Sequence, residues 1–164
     1  MNMRIRPCTG SADVALARDL MRRYARWTGV DLCFQNFETE LAELPGKYSL
    51  PSGQLWLAFS AVNAHSPTTP VGVIAVRALS ESVCEMKRLW VEPEAHGSGL
   101  GRQLAQTAID FARNAGYIEM KLDTLRGRMP AAIALYRSLG FVETEPYTVN
   151  PEPDVLYMAL TLQT

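Results

Sequence analysis

The stretch that decides the fold reads Gly97-Ser98-Gly99-Leu100-Gly101. It follows an apolar run at 89–91 and precedes a segment with the apolar spacing of a helix. Alternating glycines let the backbone come close to a ligand, and the first turn of a helix offers N–H groups that lack backbone partners. A ligand-free strand-to-helix turn explains so short a motif equally well. The stretch therefore predicts strand, loop and helix, with a candidate cradle for a phosphate group.

The segments on either side of this loop form a strand-helix-strand unit. Residues 83–91 have the composition of a strand, and an apolar stripe through Leu104 and Phe111 marks a helix over 100–115. A second strand follows at 117–122. Because a helix connects them, we expect the two strands to be parallel, with a right-handed crossover.

The rest of the chain divides into strands and helices by the same criteria. We expect a long opening helix capped by Ser11, a β-hairpin, and a helix that begins at Pro130 and ends at Gly140. Further strands are predicted at 4–7, 55–62, 71–79, 141–144 and 155–162, and a short helix at 37–44. Together these elements predict a mixed α/β fold in a single domain over residues 1–164. Its sheet is mostly antiparallel, with six or seven strands and one parallel crossover, and is flanked by helices.

Composition restricts the classes of function. The chain has 164 residues, 48% of them hydrophobic, which suffices for the core of one domain. Sixteen Lys and Arg against seventeen Asp and Glu give a formal net charge of -1, so no global field attracts nucleic acid or an anionic membrane. No apolar run approaches the roughly 18 residues of a membrane span. We expect a cytoplasmic protein with neither a nucleic-acid nor a membrane partner.

The cysteines and histidines show no metal or disulfide pattern. Cys8, Cys33 and Cys84 are far apart and include no C-x-x-C pair. His65 and His96 have no Cys or Asp at a metal-binding spacing. We therefore expect no metal and a reducing compartment, with Cys84 buried on a strand rather than acting as a nucleophile.

Two nucleotide-binding motifs compete for the glycines. A dinucleotide fingerprint requires a third glycine where Arg102 stands, although Asp123 does lie near the position of a ribose-binding acid. A P-loop requires Gly-Lys-Ser/Thr, which the chain lacks. These residues alone leave a dinucleotide-binding motif open as an interpretation, whereas they exclude a P-loop.

Two longer stretches, residues 91–101 and residues 132–141, together resemble the hallmarks of the GNAT acetyltransferase superfamily. Residues 91–101 are similar to its acetyl-CoA signature, R/Q-x-x-G-x-G/A, and residues 132–141 carry its helical tyrosine followed by Gly-Phe. The order of strands and helices agrees over essentially the whole chain. Two positions depart from the pattern: His96 replaces Arg or Gln, and Met129 replaces an Asn found in many members. A neutral imidazole is a weaker partner for a diphosphate than arginine, so the departure concerns affinity for the cofactor.

The resemblance implies an acetyl-CoA site. The strand that ends at Val91 is expected to separate from its parallel neighbour, which leaves backbone N–H groups free for pantetheine, with the Val91 N–H on the thioester oxygen. The loop and the start of the helix are expected to bind the diphosphate through main-chain N–H groups, with added charge from Arg102. The implied cofactor-binding residues are Leu89, Trp90, Val91, His96, Gly97, Ser98, Gly99, Leu100, Gly101, Arg102, Thr124 and Ala132.

Tyr136 is the candidate general acid. Its phenol, with an ordinary pKa near 10, carries a proton at neutral pH for the departing thiolate. A core tyrosine is the alternative, which composition alone favours. Glu85 is the candidate base for the amine, although a strand carboxylate beside Lys87 and Arg88 equally suggests a cross-strand ion pair, and water is a third acceptor for the proton.

The resemblance thus implies direct transfer of an acetyl group from acetyl-CoA to a primary amine in a ternary complex, and we expect the amine to be that of a small molecule. A homodimer is compatible with this function. Acetylation of a peptide or protein amine, and a CoA-binding sensor without turnover, are the alternatives. The acceptor itself cannot be identified from the sequence, and Trp27, Phe34, Phe37 and Tyr147 are candidate walls of its pocket.

Overall fold

Seven strands form one sheet in the computed structural model, which describes residues 2–29, 36–66 and 68–162. The strands are β1 Asn2–Pro7, β2 Gln54–Ala61, β3 Thr69–Ala78, β4 Val83–Val91, β5 Glu119–Leu125, β6 Val142–Glu143 and β7 Val155–Thr161. Their order is β1-β2-β3-β4-β5-β7-β6, and among these neighbours the β4 and β5 pair alone is parallel. The predicted mixed sheet with one parallel crossover is confirmed.

Helices cover both faces of the sheet. They are α1 Gly10–Thr28, α2 Phe37–Ala42, α3 Leu100–Asn114 and α4 Pro130–Ser138, with a short 3₁₀ turn, Pro93–Ala95, before α3. One buried cluster joins α1 and α2 to β2, β3 and β4, and a second joins α3 and α4 to the opposite face. Because successive strand residues point to opposite faces, alternate apolar residues supply both clusters.

The first helix begins differently from the prediction. Thr9, not Ser11, occupies the N-cap position, and Ser11 lies inside the first turn. The carboxylate of Asp13 accepts a hydrogen bond from the Thr9 N–H at 2.8 Å and forms an ion pair with Arg6 of β1. A carboxylate binds the N–H groups of a first turn more strongly than a hydroxyl does, and here a guanidinium also holds it in place. The ion pair between Arg6 and Asp13 therefore connects the start of α1 to β1.

A β-bulge interrupts β4. Val73 of β3 pairs with Trp90 and Ala75 pairs with Lys87, so β4 has one more residue than β3 over this interval. Arg88, which lies in the bulge, has a φ of +61°. A bulge bends its strand and increases the local twist, so β4 changes direction just before its end.

Candidate active site

β4 and β5 pair at three positions and then separate. Their last paired residues are Glu85 and Lys121, while the strands continue to Val91 and Leu125. Beyond that point, β4 and β5 form no further backbone pairs with each other within the described residues. The separation that the resemblance implied is therefore present, and it leaves a gap between the two strands.

The end of β4 directs backbone groups toward this gap. The Glu92 N–H donates to the Val71 carbonyl at 2.8 Å, so these residues form a hydrogen-bonded pair of the antiparallel ladder. Val91 and Gly72 are then the next, non-hydrogen-bonded pair, whose N–H and C=O groups point away from the partner strand. The Val91 N–H therefore points toward β5, the direction that its predicted role requires.

The glycine loop leaves open space at the start of α3. Gly97 and Gly99 have φ angles of +79° and +84°, and a Cβ at either position would meet nothing within 4 Å. Gly99 is the N-cap of α3, and its carbonyl accepts from the Gln103 N–H at 3.1 Å. The Leu100 N–H donates to the Ser98 hydroxyl at 3.3 Å, whereas the N–H groups of Gly101 and Arg102 have no carbonyl in a preceding turn. The Ser98 hydroxyl donates to the Ala95 carbonyl at 2.6 Å and so fixes the loop. Unfilled space beside several N–H donors fits a diphosphate group.

Two predicted phosphate-binding side chains have partners within the protein. His96 Nε2 lies 2.8 Å from the Val91 carbonyl oxygen, and the ring stands edge-on to Trp90, with 6.3 Å between centroids. Arg102 Nη2 lies 2.5 Å from the Ser138 hydroxyl at the end of α4. His96 thus connects the loop to the end of β4, and Arg102 connects α3 to α4.

The remaining predicted cofactor residues lie on both faces of the sheet. Leu89 and Val91 pack partly buried against the α3 and α4 cluster, as does Ala132 of α4. Thr124 is buried on β5, three residues beyond the last pair with β4. The Trp90 side chain belongs to the opposite cluster with α1. Trp90 pairs with Val73 one position before the Val91 and Gly72 pair, so its backbone N–H and C=O groups point toward β3 and away from the gap.

Tyr136 lies buried on α4, with its ring 5.8 Å from that of Phe141 between centroids. Burial raises the pKa of its phenol above the ordinary value of 10, and the neighbouring Tyr24 and Asp123 raise it further. The hydroxyl therefore keeps its proton at neutral pH. Tyr136 belongs to the buried cluster of α3 and α4, on the face of the sheet that carries the glycine loop.

A cavity of about 370 Å³ lies on the other face of the sheet. It is lined by α2 and the segment after it, by strands β3, β4 and β5, and by the loop before β7. Its size is within the range of small-molecule sites. Its charged lining residues are four acids, Glu40, Glu43, Glu85 and Asp123, and three bases, Lys47, Arg77 and Lys87.

Glu85 is a buried member of this lining, and both of its oxygens are bonded. Arg77 Nε donates to Oε1 at 2.9 Å across the β3 and β4 ladder, and the Tyr147 hydroxyl donates to Oε2 at 2.5 Å. Lys87 Nζ lies 4.0 Å from Oε1. The cross-strand ion pair considered from the sequence is therefore present. The role of Glu85 as a base stays a prediction.

Asp123 was not among the predicted site residues. It lies two residues beyond Lys121 on the same face of β5, so it lines the cavity where the gap begins. Asn150 Nδ2 donates to its carboxylate at 3.1 Å. After burial, its negative charge is a further cause of the raised pKa of both Tyr136 and Tyr24. The sequence held one signal, an acid at the end of the strand after the glycine loop.

The predicted pocket walls have different surroundings. Tyr147 lies against the cavity through its bond to Glu85, whereas Phe37 is buried in α2 under the guanidinium of Arg88. Trp27 is 60% exposed, with 6.2 Å between the centroids of its ring and that of His96, and Phe34 lies outside the described residues, as does Cys33. Tyr147 alone of the described candidates is bonded to a residue that lines the cavity.

Burial raises the pKa of the Cys84 thiol to about 12 and that of Cys8 to about 11. Both thiols are therefore protonated at neutral pH and are poor nucleophiles. The described residues include no group of three or more His, Cys, Asp or Glu arranged to hold a metal ion. No helix within the described ranges is both long and apolar enough to cross a bilayer.

Comparisons with known proteins agree on one family. The sequence model of the acetyltransferase (GNAT) family matches residues 17–141. An uncharacterized N-acetyltransferase of Schizosaccharomyces pombe is 42% identical over 144 residues, which are 87% of this chain and 85% of that protein. Another from Dictyostelium discoideum is 28% identical and covers 88% of this chain and 92% of its own length.

Solved structures share the fold. PaiA N-acetyltransferase from Thermoplasma acidophilum, solved in complex with coenzyme A, superimposes with a TM-score of 0.74. The match covers 98% of this chain and 99% of that one at 19% sequence identity. At this identity the likeness concerns the arrangement of strands and helices.

Proposed function

The chain belongs to the GNAT family of acetyltransferases, and from this we propose that it transfers an acetyl group from acetyl-CoA to the primary amine of a small molecule. One observation carries the proposal: the gap between β4 and β5 has the glycine loop and Tyr136 on one face of the sheet and a charged cavity on the other. Donor and acceptor would meet in this gap.

Bound acetyl-CoA supplies an acetyl group activated as a thioester. The N–H groups of the loop and of the first turn of α3 would hold its diphosphate, and the open space at Gly97 and Gly99 supports this placement. The Val91 N–H would donate to the acetyl oxygen as negative charge develops there. Leu89, Thr124 and Ala132 would contact the pantetheine arm from the α3 and α4 side.

In the transfer, the amine nitrogen forms a bond to the acetyl carbon and the carbon–sulfur bond breaks. We assign the proton for the sulfur to Tyr136. The phenol pKa is ordinarily near 10, above the ordinary thiol value of about 8.5, and burial raises it further. Complete proton transfer from the phenol to a free thiolate is therefore uphill. The hydroxyl would therefore act by donating a hydrogen bond to the sulfur, with the proton moving as charge accumulates.

The proton of the amine requires an acceptor on the cavity side. Glu85 would have to release Arg77 or Tyr147 before it could take that proton. We therefore assign the proton to a water molecule in the cavity and keep Glu85 as the second candidate. Both Cys84 and Cys8 are disfavoured as acyl carriers, because burial raises the pKa of each thiol.

The test is release of the CoA thiol by the purified chain with acetyl-CoA and a panel of amines, with mass spectrometry of the acetylated product. Turnover with small amines but not with peptides supports the proposal. Faster turnover with peptide amines would favour the protein-acetylating alternative. CoA binding without thiol release from any acceptor would indicate a sensor and contradict the proposal.

A further inference from the structure

His96 stands in the glycine loop where the family signature has Arg or Gln, and its side chain reaches back to the end of β4. Its Nε2 lies 2.8 Å from the carbonyl oxygen of Val91. Because a carbonyl oxygen only accepts hydrogen bonds, Nε2 carries a proton. In the neutral ring Nδ1 is then an acceptor without a proton, and it has nothing to donate to a phosphate. The neutral imidazole therefore uses its one N–H within the protein.

Val91 is the residue whose backbone faces the gap. It forms a non-hydrogen-bonded pair with Gly72, so its N–H and C=O groups both point away from β3. An inner strand is normally bonded along both edges, but β5 stops pairing with β4 at Glu85. The His96 ring binds the Val91 carbonyl in place of the missing strand and leaves the Val91 N–H available. That N–H is the group that the proposed function assigns to the acetyl oxygen.

Two tryptophans orient the imidazole, although His96 itself is exposed. The ring stands edge-on to Trp90, with 6.3 Å between centroids, and edge-on to Trp27, with 6.2 Å between centroids. Trp90 precedes Val91 on β4, and Trp27 lies near the end of α1, with its ring 5.6 Å from that of Trp90. Edge-on contacts between aromatic rings are favourable. Packing and the hydrogen bond therefore hold the imidazole in the same place.

We infer that His96 is a positioning residue for the Val91 N–H and not a ligand of the diphosphate. The inference rests on the proposed acetyl transfer and deepens it. Without His96, the end of β4 has a strand partner on one edge only, so the peptide groups around Val91 gain freedom to rotate. A hydrogen bond weakens steeply as its angle departs from linear, and a donor stabilises developing charge best when it is already in place. His96 therefore acts on the rate of transfer, whereas a diphosphate ligand would act on the affinity for CoA.

The first experiment separates these two roles with His96→Phe, which removes the N–H and keeps a ring beside Trp27 and Trp90. The measured quantities are the single-turnover rate of acetyl transfer to the best acceptor of the amine panel, at saturating acetyl-CoA, and the Kd for CoA from titration calorimetry. We expect the rate to fall about tenfold and the Kd to change by less than about twofold, as loss of one positioning hydrogen bond would give. An unchanged rate, or a weakened affinity for CoA with an unchanged rate, would overturn the inference.

Two further variants assign the effect to the hydrogen bond. His96→Gln offers an amide N–H at about the reach of Nε2, so it should recover most of the rate that His96→Phe loses. His65→Phe is the control, because His65 lies between β2 and β3 and only its backbone is hydrogen-bonded in the described part of the chain. It should change neither the rate nor the affinity. A loss in His96→Gln as large as that in His96→Phe would contradict a role for the N–H.

The second experiment needs no acceptor. Infrared spectroscopy of bound acetyl-CoA, isotope-labelled at the thioester carbonyl, measures the hydrogen bond to the acetyl oxygen, because a donor lowers the stretching frequency of a carbonyl group. We expect a lower frequency in the unmodified chain and in His96→Gln than in His96→Phe. Equal frequencies in the three proteins would overturn the inference. If no amine were acetylated, the proposed function would fail, and the comparison of frequencies would still decide the role of His96.

Discussion

The guanidinium group of Arg88 donates two hydrogen bonds to the carboxylate of Glu40, at 2.9 Å and 3.0 Å. The pair is almost fully enclosed, with side-chain exposures of 3% and 18%. It joins the bulge of β4 to α2, which forms one wall of the cavity. The position where β4 turns away from β5 is therefore fixed to the wall that the acceptor would touch.

Replacing Glu40 should destabilise the fold. Glu40→Gln leaves the Arg88 charge buried without its counter-ion, and we expect the free energy of unfolding to fall by about 3 kcal/mol. Urea denaturation measures this. Glu38→Gln is the control on the same helix, because Glu38 is 74% exposed and 3.7 Å from Arg22, and such a pair is worth less than about 1 kcal/mol. Equal losses in the two variants would contradict the assignment.

Gly99→Val should weaken CoA binding. The side chain would fill the open loop and would adopt a positive φ at a cost of about 1 kcal/mol or more. Gly116→Val provides a matched control at the other end of α3, with a φ of +91° and equally open space. Scanning calorimetry should show similar losses of stability in the two variants. Titration calorimetry with CoA should show a loss of affinity in Gly99→Val alone. Unchanged affinity in the folded Gly99 variant would exclude the loop as a phosphate site.

Tyr136→Phe should lower turnover by about a hundredfold, because the ring still packs on Phe141 while the donor to the sulfur is lost. CoA affinity should remain unchanged, and the loss should be smaller with thioesters whose thiolate is a better leaving group. Tyr117→Phe is the control: its hydroxyl donates to the Ser52 carbonyl at 2.6 Å, so it should lose about 1 kcal/mol of stability and no turnover. Full turnover by the Tyr136 variant, with chemistry rate-limiting, would make Tyr136 a packing residue.

The ion pair of Asp13 should give a pH-dependent part of the stability. Its bond to Arg6 lowers the pKa of Asp13 from 3.8 to about 2 in the folded state. The contribution is therefore complete above about pH 4 and is lost as the pH falls toward 2. Asp13→Asn should cost about 2 kcal/mol at pH 7 and almost nothing at pH 2. Asp19→Asn, which removes an exposed ion pair with Arg23, is the control and should cost less than about 1 kcal/mol at pH 7. An equal cost for Asp13→Asn at pH 7 and at pH 2 would contradict the linkage.

The features that could be predicted from the sequence are those that depend on neighbouring residues in the chain. Periodicity and glycine placement identify β4, the loop and α3, because 3.6-residue and two-residue spacings are local properties. The opening helix shows the limit of such rules. The choice of Thr9 over Ser11 depends on Arg6, a residue of the preceding strand that reaches Asp13 only in the folded state.

The cavity could not be predicted, because its walls come from segments far apart in the chain. Glu40 and Arg88 are 48 positions apart, and Asn150 lies 27 positions beyond the Asp123 that it contacts. The spacing of Glu85 was compatible with either a base or an ion pair. The hairpin register, which places Arg77 opposite Glu85, shows that the ion pair forms.

The separation of β4 from β5 places an open backbone edge at the centre of a sheet. Edges of this kind normally occur on outermost strands, where they attract strands of other chains and promote aggregation, and proteins blunt them with charge, proline or bulges. Here the bulge and two flanking strands keep the edge inside the fold, out of reach of another chain. The chain can therefore keep unpaired backbone N–H groups available to a narrow ligand. The same groups on an outermost strand would promote aggregation.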